Sequence, residues 1–402
     1  MTQPLDKRDL AAAGRGLDRI NLFVANIQTG FGPFIAIYLA SQGWTQTAIG
    51  LALSLGTIAA MASQLPAGAL VDAMRSKANA ARAGLVVFTL SALLFALVPV
   101  PLFVYVAEII HAFASCMLGP AIAALSLAVA GPHALGLRLG RNARYGSIGN
   151  AIGAALMGAC GYYISNRSIF FLTALLTLPA WAFMAPLSRV TAPITAKAHD
   201  EEAARATPLW RILTDRRLFL FASCVALFTF GNAATLPLIS AALNKNVGRF
   251  ASLVIAACIV LPQVIVALIS PAIGRLAETH GRRIVLLLGL TALPCRGVLF
   301  WLLLGHPSLV VIGQALDGIA GACIGVLVPL VASDVAGHSG HYNLSLGFIG
   351  FYVGLGSTFS TTLGGWMADR VGDPLALLGL GAIGVFALLL AAATMPETRP
   401  AA

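Results

Sequence analysis

Four ionisable side chains stand where water is scarce: Glu108 and His111 in one long apolar run, Arg296 in another and Asp317 in the next. A charge inside hydrocarbon costs roughly 2.5 to 3.5 kcal/mol on insertion scales, so such residues mark an ion path, a substrate path or a pair that neutralises itself. Glu108 and His111 are three residues apart and share a helical face with Ser115. A proton passes between carboxylate and imidazole at that spacing without large backbone motion. Glu108 is therefore the first expected site of proton coupling, followed by His111 and Asp317. Helix rise puts Glu108 about 11 Å, Arg296 about 12 Å, and His111 and Asp317 about 15 Å from the helix ends on one side, in a single layer. Arg296 and Asp317, on consecutive runs at similar depth, predict an intramembrane ion pair.

Polar side chains beside helix breakers form a second set. Asn21, Asn26, Gln28 and Thr29 precede Gly30-Phe31-Gly32-Pro33, and Asn232 and Thr235 precede Pro237. Such segments bend and turn freed backbone groups toward a cavity. Asn26, Gln28, Ser115, Asn232 and Gln314 are the expected cavity contacts, and Gly30, Gly32, Pro33 and Pro237 the expected hinges. The rows Gly146, Gly149, Gly153 and Gly347, Gly350, Gly354 read as close-packing faces.

The elements that must carry these residues follow from composition. Of 402 residues, 58% are hydrophobic and 10% charged, against roughly 25% charged in soluble domains, so the exterior faces lipid. Apolar runs long enough to cross a bilayer recur twelve times between residues 17 and 395. The expected fold is all-α and membrane-embedded: twelve transmembrane helices in two pseudo-symmetric six-helix bundles. A tail at 1–16, a first bundle at 17–189, a linker at 190–216, a second bundle at 217–395 and a tail at 396–402 are the expected divisions. The net charge of +10 is spread through alternate loops and not gathered in one patch, which excludes nucleic acid as its cause. Arg75, Lys77, Arg82, Arg138, Arg141, Arg144, Arg275, Arg282 and Arg283 fall on the side of the linker, so both termini are expected in the cytoplasm, with the chain integral to the cytoplasmic membrane. The apolar run after Arg19 is too long for a cleaved leader and reads as a retained first span. The cysteines show no paired spacing, so neither a disulfide framework nor structural zinc is expected.

The halves echo each other at an offset of about 203 to 206 residues. Pro33 matches Pro237, Gly68-Ala-Leu-Val-Asp72-Ala73 matches Gly274-Arg-Leu-Ala-Glu278-Thr279, Glu108-x-x-His111 matches Gln314-x-x-Asp317, and Gly161 to Arg167 matches Gly364 to Arg370. A parallel six-plus-six repeat places a substrate site between the halves, near the bilayer midplane.

The loop Gly274-Arg-Leu-Ala-Glu278-Thr-His-Gly281-Arg282-Arg283 resembles the Gly-x-Leu-x-Asp-Arg-x-Gly-Arg-Arg signature of the major facilitator superfamily. Gly68 to Lys77 resembles a degraded copy, with Ala73 where the family has Arg. The resemblance implies that Asp72, Arg75, Glu278, Arg282 and Arg283 form a cytoplasmic gate; physically, an acid at one helix end beside arginines at the next makes a latch that breaks and re-forms. The drug/proton antiporters of the family carry Arg-x-x-Gln-Gly in span 4, where this chain has Glu108-Ile-Ile-His111-Ala112. That departure moves the expected chemistry from an arginine to Glu108. No Gly-x-x-x-x-Gly-Lys-[Ser/Thr] loop is present, which excludes primary pumping. The expectation is a proton-coupled transporter of a small organic molecule, resembling the drug and sugar efflux clades, with no cofactor, no metal and no nucleic-acid partner, working as a monomer. Proton-coupled uptake of a metabolite is the alternative. A polytopic membrane enzyme would need a clustered nucleophile or His/Asp/Glu group, and His338-x-x-His341 lacks an acidic companion beyond Asp334.

Overall fold

The computed structural model describes residues 7–31, 34–35, 38–39, 42–44, 46–205, 208–239, 251–337 and 341–399. Among them are twelve helices of at least 17 residues: α1 Lys7–Thr29, α2 Gln46–Ala73, α3 Lys77–Leu97, α4 Pro101–Ala130, α5 Leu135–Tyr163, α6 Ser168–Arg205, α7 Arg216–Asn232, α8 Ala251–His280, α9 Arg282–Leu303, α10 Ala315–Ala336, α11 Tyr342–Val371 and α12 Asp373–Thr394. No strand occurs among the described residues. Ten helical segments are long and apolar enough to cross a membrane. The other two long helices, α1 and α5, carry the charges of Arg15, Asp18 and Arg19 and of Arg138, Arg141 and Arg144.

Helix boundaries follow local chemistry. Ser76 caps α3 by accepting from the Asn79 amide at 3.3 Å. Asp215 caps α7 by accepting from the Arg217 and Leu218 amides at 2.7 and 3.4 Å. Lys77 turns its ammonium onto the carbonyls of Val71, Asp72 and Met74 at 2.9 to 3.0 Å, a cation on the otherwise unpaired end of α2. Pro101 opens α4, where its missing N–H costs nothing, and Gly131 at φ 69° ends it.

By contact the chain divides into two compact units, Met1–Thr207 with Ala336–Gly347, and Pro208–Val335 with Phe348–Ala402. Helix α11 begins in the first and continues in the second. Helix α6 runs unbroken to Arg205, so the stretch expected as a linker is helical in its first part.

In the first unit α2 and α3 pack on α4, α1 on α5 and α6, and α3 on α6. In the second, α12 packs on both α7 and α9. Glycine makes two of these crossings close: a Cβ on Gly149 would stand 2.2 Å from the Leu22 carbonyl of α1, and one on Gly297 of α9 would stand 2.7 Å from the Gly381 Cα of α12. Helices in lipid gain little from burying apolar surface, so such backbone approach is where they find packing energy. The outer surface bears Leu102, Leu175, Leu268 and Leu389, each 60 to 67% exposed, as lipid-facing helices require.

Candidate functional site

In the first unit, Glu108 projects from the second turn of α4 toward α2 and is 4% exposed. Its Oε1 has no hydrogen-bond partner among the described residues. The carboxyl lies against the bare backbone of Gly56, where a Cβ would stand 2.3 Å from Oε2. Two turns further along α4, Cys116 Sγ meets the Ala60 carbonyl at 3.5 Å and holds the same two helices together.

His111 sits one turn from Glu108 in an aromatic box. Its ring stacks on Phe31 at 4.1 Å and meets Phe88 edge-on at 5.0 Å, and Nε2 lies 3.3 Å from Ser115 Oγ. Phe31 also touches Phe95 and Phe170, and Tyr38 Oη donates to the Phe95 carbonyl at 2.8 Å. Among the described residues no carboxylate contacts the imidazole, and the ring is held in place by these aromatic neighbours.

The other first-unit candidates separate. Asn26 is 2% exposed and wedged over Gly153 between α1 and α5, with its Oδ1 unpaired among the described residues. Gln28 is half-buried on α1, and Thr29 donates to the Ala25 carbonyl at 2.9 Å and lies 3.2 Å from Asn150 Oδ1. A Cβ on Gly30 would stand 2.3 Å from Thr173 Oγ1. The expected hinges Gly32 and Pro33, and His338, lie outside the described residues.

In the second unit, Arg296 of α9 gathers three of the singled-out residues. Its guanidinium donates to Asn232 Oδ1 of α7, to Gln314 Oε1 at 3.4 Å and to Asp317 Oδ1, and it lies over the Phe300 ring at 5.8 Å. Gln314 stands in the break between a short helix Pro307–Gly313 and α10, and Asp317 is in the first turn of α10. The Arg296 side chain is 3% exposed and that of Asp317 31% exposed, so the acid is the open end of the pair. Pro237 is exposed.

The residues expected at the gate have definite neighbours. Asp72, at the end of α2, accepts from the Asn343 amide at 3.1 Å, from Asn343 Nδ2 at 2.6 Å and from the Leu344 amide at 2.8 Å, all in the first turn of α11 within the first unit. A Cβ on Gly68, one turn earlier, would stand 2.3 Å from the Asn343 carbonyl, so bare backbone permits the approach. Arg75 is exposed and Glu278 half-buried at the end of α8. Arg282 is buried: Nε donates to Asp334 Oδ2 at 2.9 Å and Nη1 to the Ala277 carbonyl at 2.8 Å, while exposed Arg283 donates to the Ala392 carbonyl at 2.5 Å.

Three carboxylates to which sequence reasoning gives no arginine partner, Asp18, Asp334 and Glu397, complete the picture. Asp18 of α1 takes Arg138 on one oxygen and Arg141, at 2.6 Å, on the other; Arg138 also reaches Asn142 at 2.9 Å and the Gly14 carbonyl at 3.0 Å. The spacing of Arg138 and Arg141, one turn apart, is the signal that both serve one acceptor. Asp334 receives Arg282. Glu397 accepts from the amides of Arg282, Arg283 and Arg399 at 2.8, 3.2 and 2.9 Å, at the start of α9 where Gly281 has φ +103°.

Glu397 lies beyond the last helix. Burial, the largest single influence, pushes its carboxyl up, yet the three amides and the Arg282 charge together hold it below the ordinary glutamate range. A depressed native value means the stability it contributes is present above the unfolded value of about 4.3 and is lost as pH falls through the native one. Glu397→Gln is therefore expected to lower the Tm of the solubilised protein at pH 7, and the gap from wild type is expected to close below about pH 4. A gap that stays constant from pH 7 to pH 3 would contradict this role.

Comparison with known proteins places the geometry in context. The family model described as Major Facilitator Superfamily matches residues 20–261 and 221–402. Two uncharacterized MFS-type transporters of Mycobacterium tuberculosis, from strains CDC 1551 / Oshkosh and H37Rv, are each 33% identical to this chain over 401 residues, covering 96% of it and 93% of their own length. The solved structure of the proton:xylose symporter XylE bound to 6-bromo-6-deoxy-D-glucose matches with a TM-score of 0.71 at 13% identity, over 97% of this chain and 96% of that one, which is a likeness of fold.

Proposed function

The chain belongs to the major facilitator superfamily, and on that premise we propose that it exports a small organic molecule across the cytoplasmic membrane in exchange for protons. It is an integral membrane transporter of the twelve-helix fold, and not an enzyme. The observation that carries the proposal is Glu108: a carboxyl 4% exposed, with one oxygen unpaired among the described residues, inside an apolar helix. Among the described residues no cation or hydrogen-bond donor offsets the desolvation of a carboxylate there, whereas a carboxylic acid is tolerated. Loading and releasing that proton is the chemistry the setting offers. His111, boxed by Phe31 and Phe88, serves as its neighbour along α4, and Asp317, the open end of the Arg296 pair, is the second proton site.

Substrate is held by amides, hydroxyls and apolar groups, from Asn26, Gln28, Ser115, Asn232 and Gln314, which favours an amphipathic or polar organic cargo. Two bundles, at 17–189 and 217–395, work by alternating access, with the linker at 190–216 and both termini on the cytoplasmic side. Asp72 on the first turn of α11, with Arg75, Glu278, Arg282 and Arg283, is the cytoplasmic gate. The unit works as a monomer.

Export is tested by efflux of a panel of cationic and neutral dyes from cells expressing wild type or Glu108→Gln, with and without a protonophore. Efflux that the protonophore stops and Glu108→Gln removes is the expected result. If no dye moves with wild type, export is wrong. Proton-driven uptake is then the reading to examine, favoured by the fold match to a proton:xylose symporter.

A further inference from the structure

Helix α2 carries Ala52, Gly56 and Ala60 at four-residue spacing, and α4 carries Glu108, Ala112 and Cys116 at the same spacing. Ala52 is fully buried and Ala112 4% exposed, so the two rows lie in the seam between the helices. Near one end the seam is closed by Cys116 on the Ala60 carbonyl at 3.5 Å. At Gly56 a Cβ would stand 2.3 Å from Glu108 Oε2 and 3.1 Å from its carboxyl carbon. Real Cβ atoms do not approach oxygen that closely, so a side chain at position 56 would push the end of the flexible Glu108 side chain out of its seat. The carboxyl of Glu108 thus occupies the volume that a side chain at position 56 would take.

We infer that Gly56 is a positioning residue for proton coupling: the bare backbone of α2 seats the Glu108 carboxyl in the α2–α4 seam and covers it from water, so that side-chain volume at position 56 sets how fast its proton exchanges. The inference rests on the reading of Glu108 as the proton carrier. No ionisable side chain lies on the facing helices over residues 20–29 of α1, 46–71 of α2, 83–97 of α3 or 168–188 of α6. The ionisable groups on the remaining neighbours are His111 on α4 itself and Arg138, Arg141, Arg144, Tyr145, Cys160, Tyr162 and Tyr163 on α5. Tyr105 and Cys116 are the other ionisable residues of α4, and none of these groups is charged in its ordinary state at neutral pH except the arginines of α5; cover by Gly56 is therefore the local control on Glu108.

The experiment needs no substrate. Purified full-length protein in lipid is followed by infrared spectroscopy as solvent changes from H2O to D2O, and the carboxyl C=O band of Glu108 is assigned by its absence in Glu108→Gln. If Glu108→Gln removes no such band, the proton-carrier reading itself fails, and this inference with it. With the band assigned, Gly56→Ala is expected to speed its exchange about tenfold, the factor available from overpacking by one methyl group. Shortening the acid by one methylene in Gly56→Ala/Glu108→Asp is expected to restore slow exchange. Gly119→Ala, also on α4 but with no atom within 4 Å of the added Cβ, is expected to leave the rate unchanged. Wild-type exchange in Gly56→Ala, or fast exchange in the double variant, overturns the assignment. Should Gly56→Ala not fold, recovery of folded protein by adding Glu108→Asp supports the steric fit, and failure of the double variant to fold overturns it.

Discussion

Truncating Asp317 to alanine is expected to cost the folded protein about 3 kcal/mol, the low end for breaking a buried pair, because Asp317 is itself partly exposed. Arg296 has a 3% exposed side chain and, among the described residues, would keep the Phe300 ring and, as hydrogen-bond acceptors, only the amide oxygens of Asn232 and Gln314. Neither carries charge. A guanidinium in that setting is then desolvated without an anion, and that, more than the lost contact, is what destabilises. The measurement is the unfolding midpoint of purified protein in detergent, for Asp317→Ala, Arg296→Met and the pair together. Removing both charges is expected to recover most of the loss, since an apolar pair of similar volume is often as stable as a buried ion pair. If the double variant is as unstable as Asp317→Ala, the damage comes from packing and not from the stranded charge.

Asp72→Ala is expected to free the first turn of α11. The carboxylate satisfies two backbone amides and the Asn343 side chain at 2.6 to 3.1 Å, at the end of the helix where the macrodipole favours an anion. Losing a charged cap of this kind costs about 2 kcal/mol. Opening of the turn becomes roughly 30-fold more populated at that cost. Hydrogen exchange of the Asn343 and Leu344 amides is expected to accelerate by about that factor, while amides in the middle of α4 keep their rates. Asp72→Asn, which keeps one acceptor and loses the charge, is expected to fall between. Unchanged exchange in Asp72→Ala would show that the turn is held by Gly68 and Gly347 packing alone.

The positions of the intramembrane ionisable groups are legible in the sequence because lipid makes each of them expensive. Glu108, His111, Arg296 and Asp317 stand out from apolar runs with no structure in hand. The six-plus-six repeat is equally legible, since equal offsets in one order need no knowledge of packing. What the sequence withholds is which faces meet. The one-turn spacing of Arg138 and Arg141 hints at a shared acceptor, but Asp18 is one polar residue in a polar first helix about 120 residues earlier, and nothing local names it as that acceptor. Glu397 sits in a short polar tail, and its partners at the start of α9 are set by how the second unit closes. Gly56 is one glycine among 41; only the crossing of α2 over α4 makes its missing side chain matter. Pairing of helices is decided by tertiary packing, to which a periodic pattern is blind.

The most direct test of Glu108 as the carrier of coupling uses proteoliposomes with an imposed proton gradient, acid inside, and a dye that wild type exports from cells. Two quantities are read in the same vesicles: accumulation of dye against its gradient, and exchange of labelled for unlabelled dye at equal pH. Wild type is expected to do both. Glu108→Gln is expected to keep exchange within a few-fold of wild type while losing accumulation, because the binding and rocking steps survive and the proton-linked step does not. Accumulation by Glu108→Gln equal to that of wild type would contradict proton coupling through Glu108.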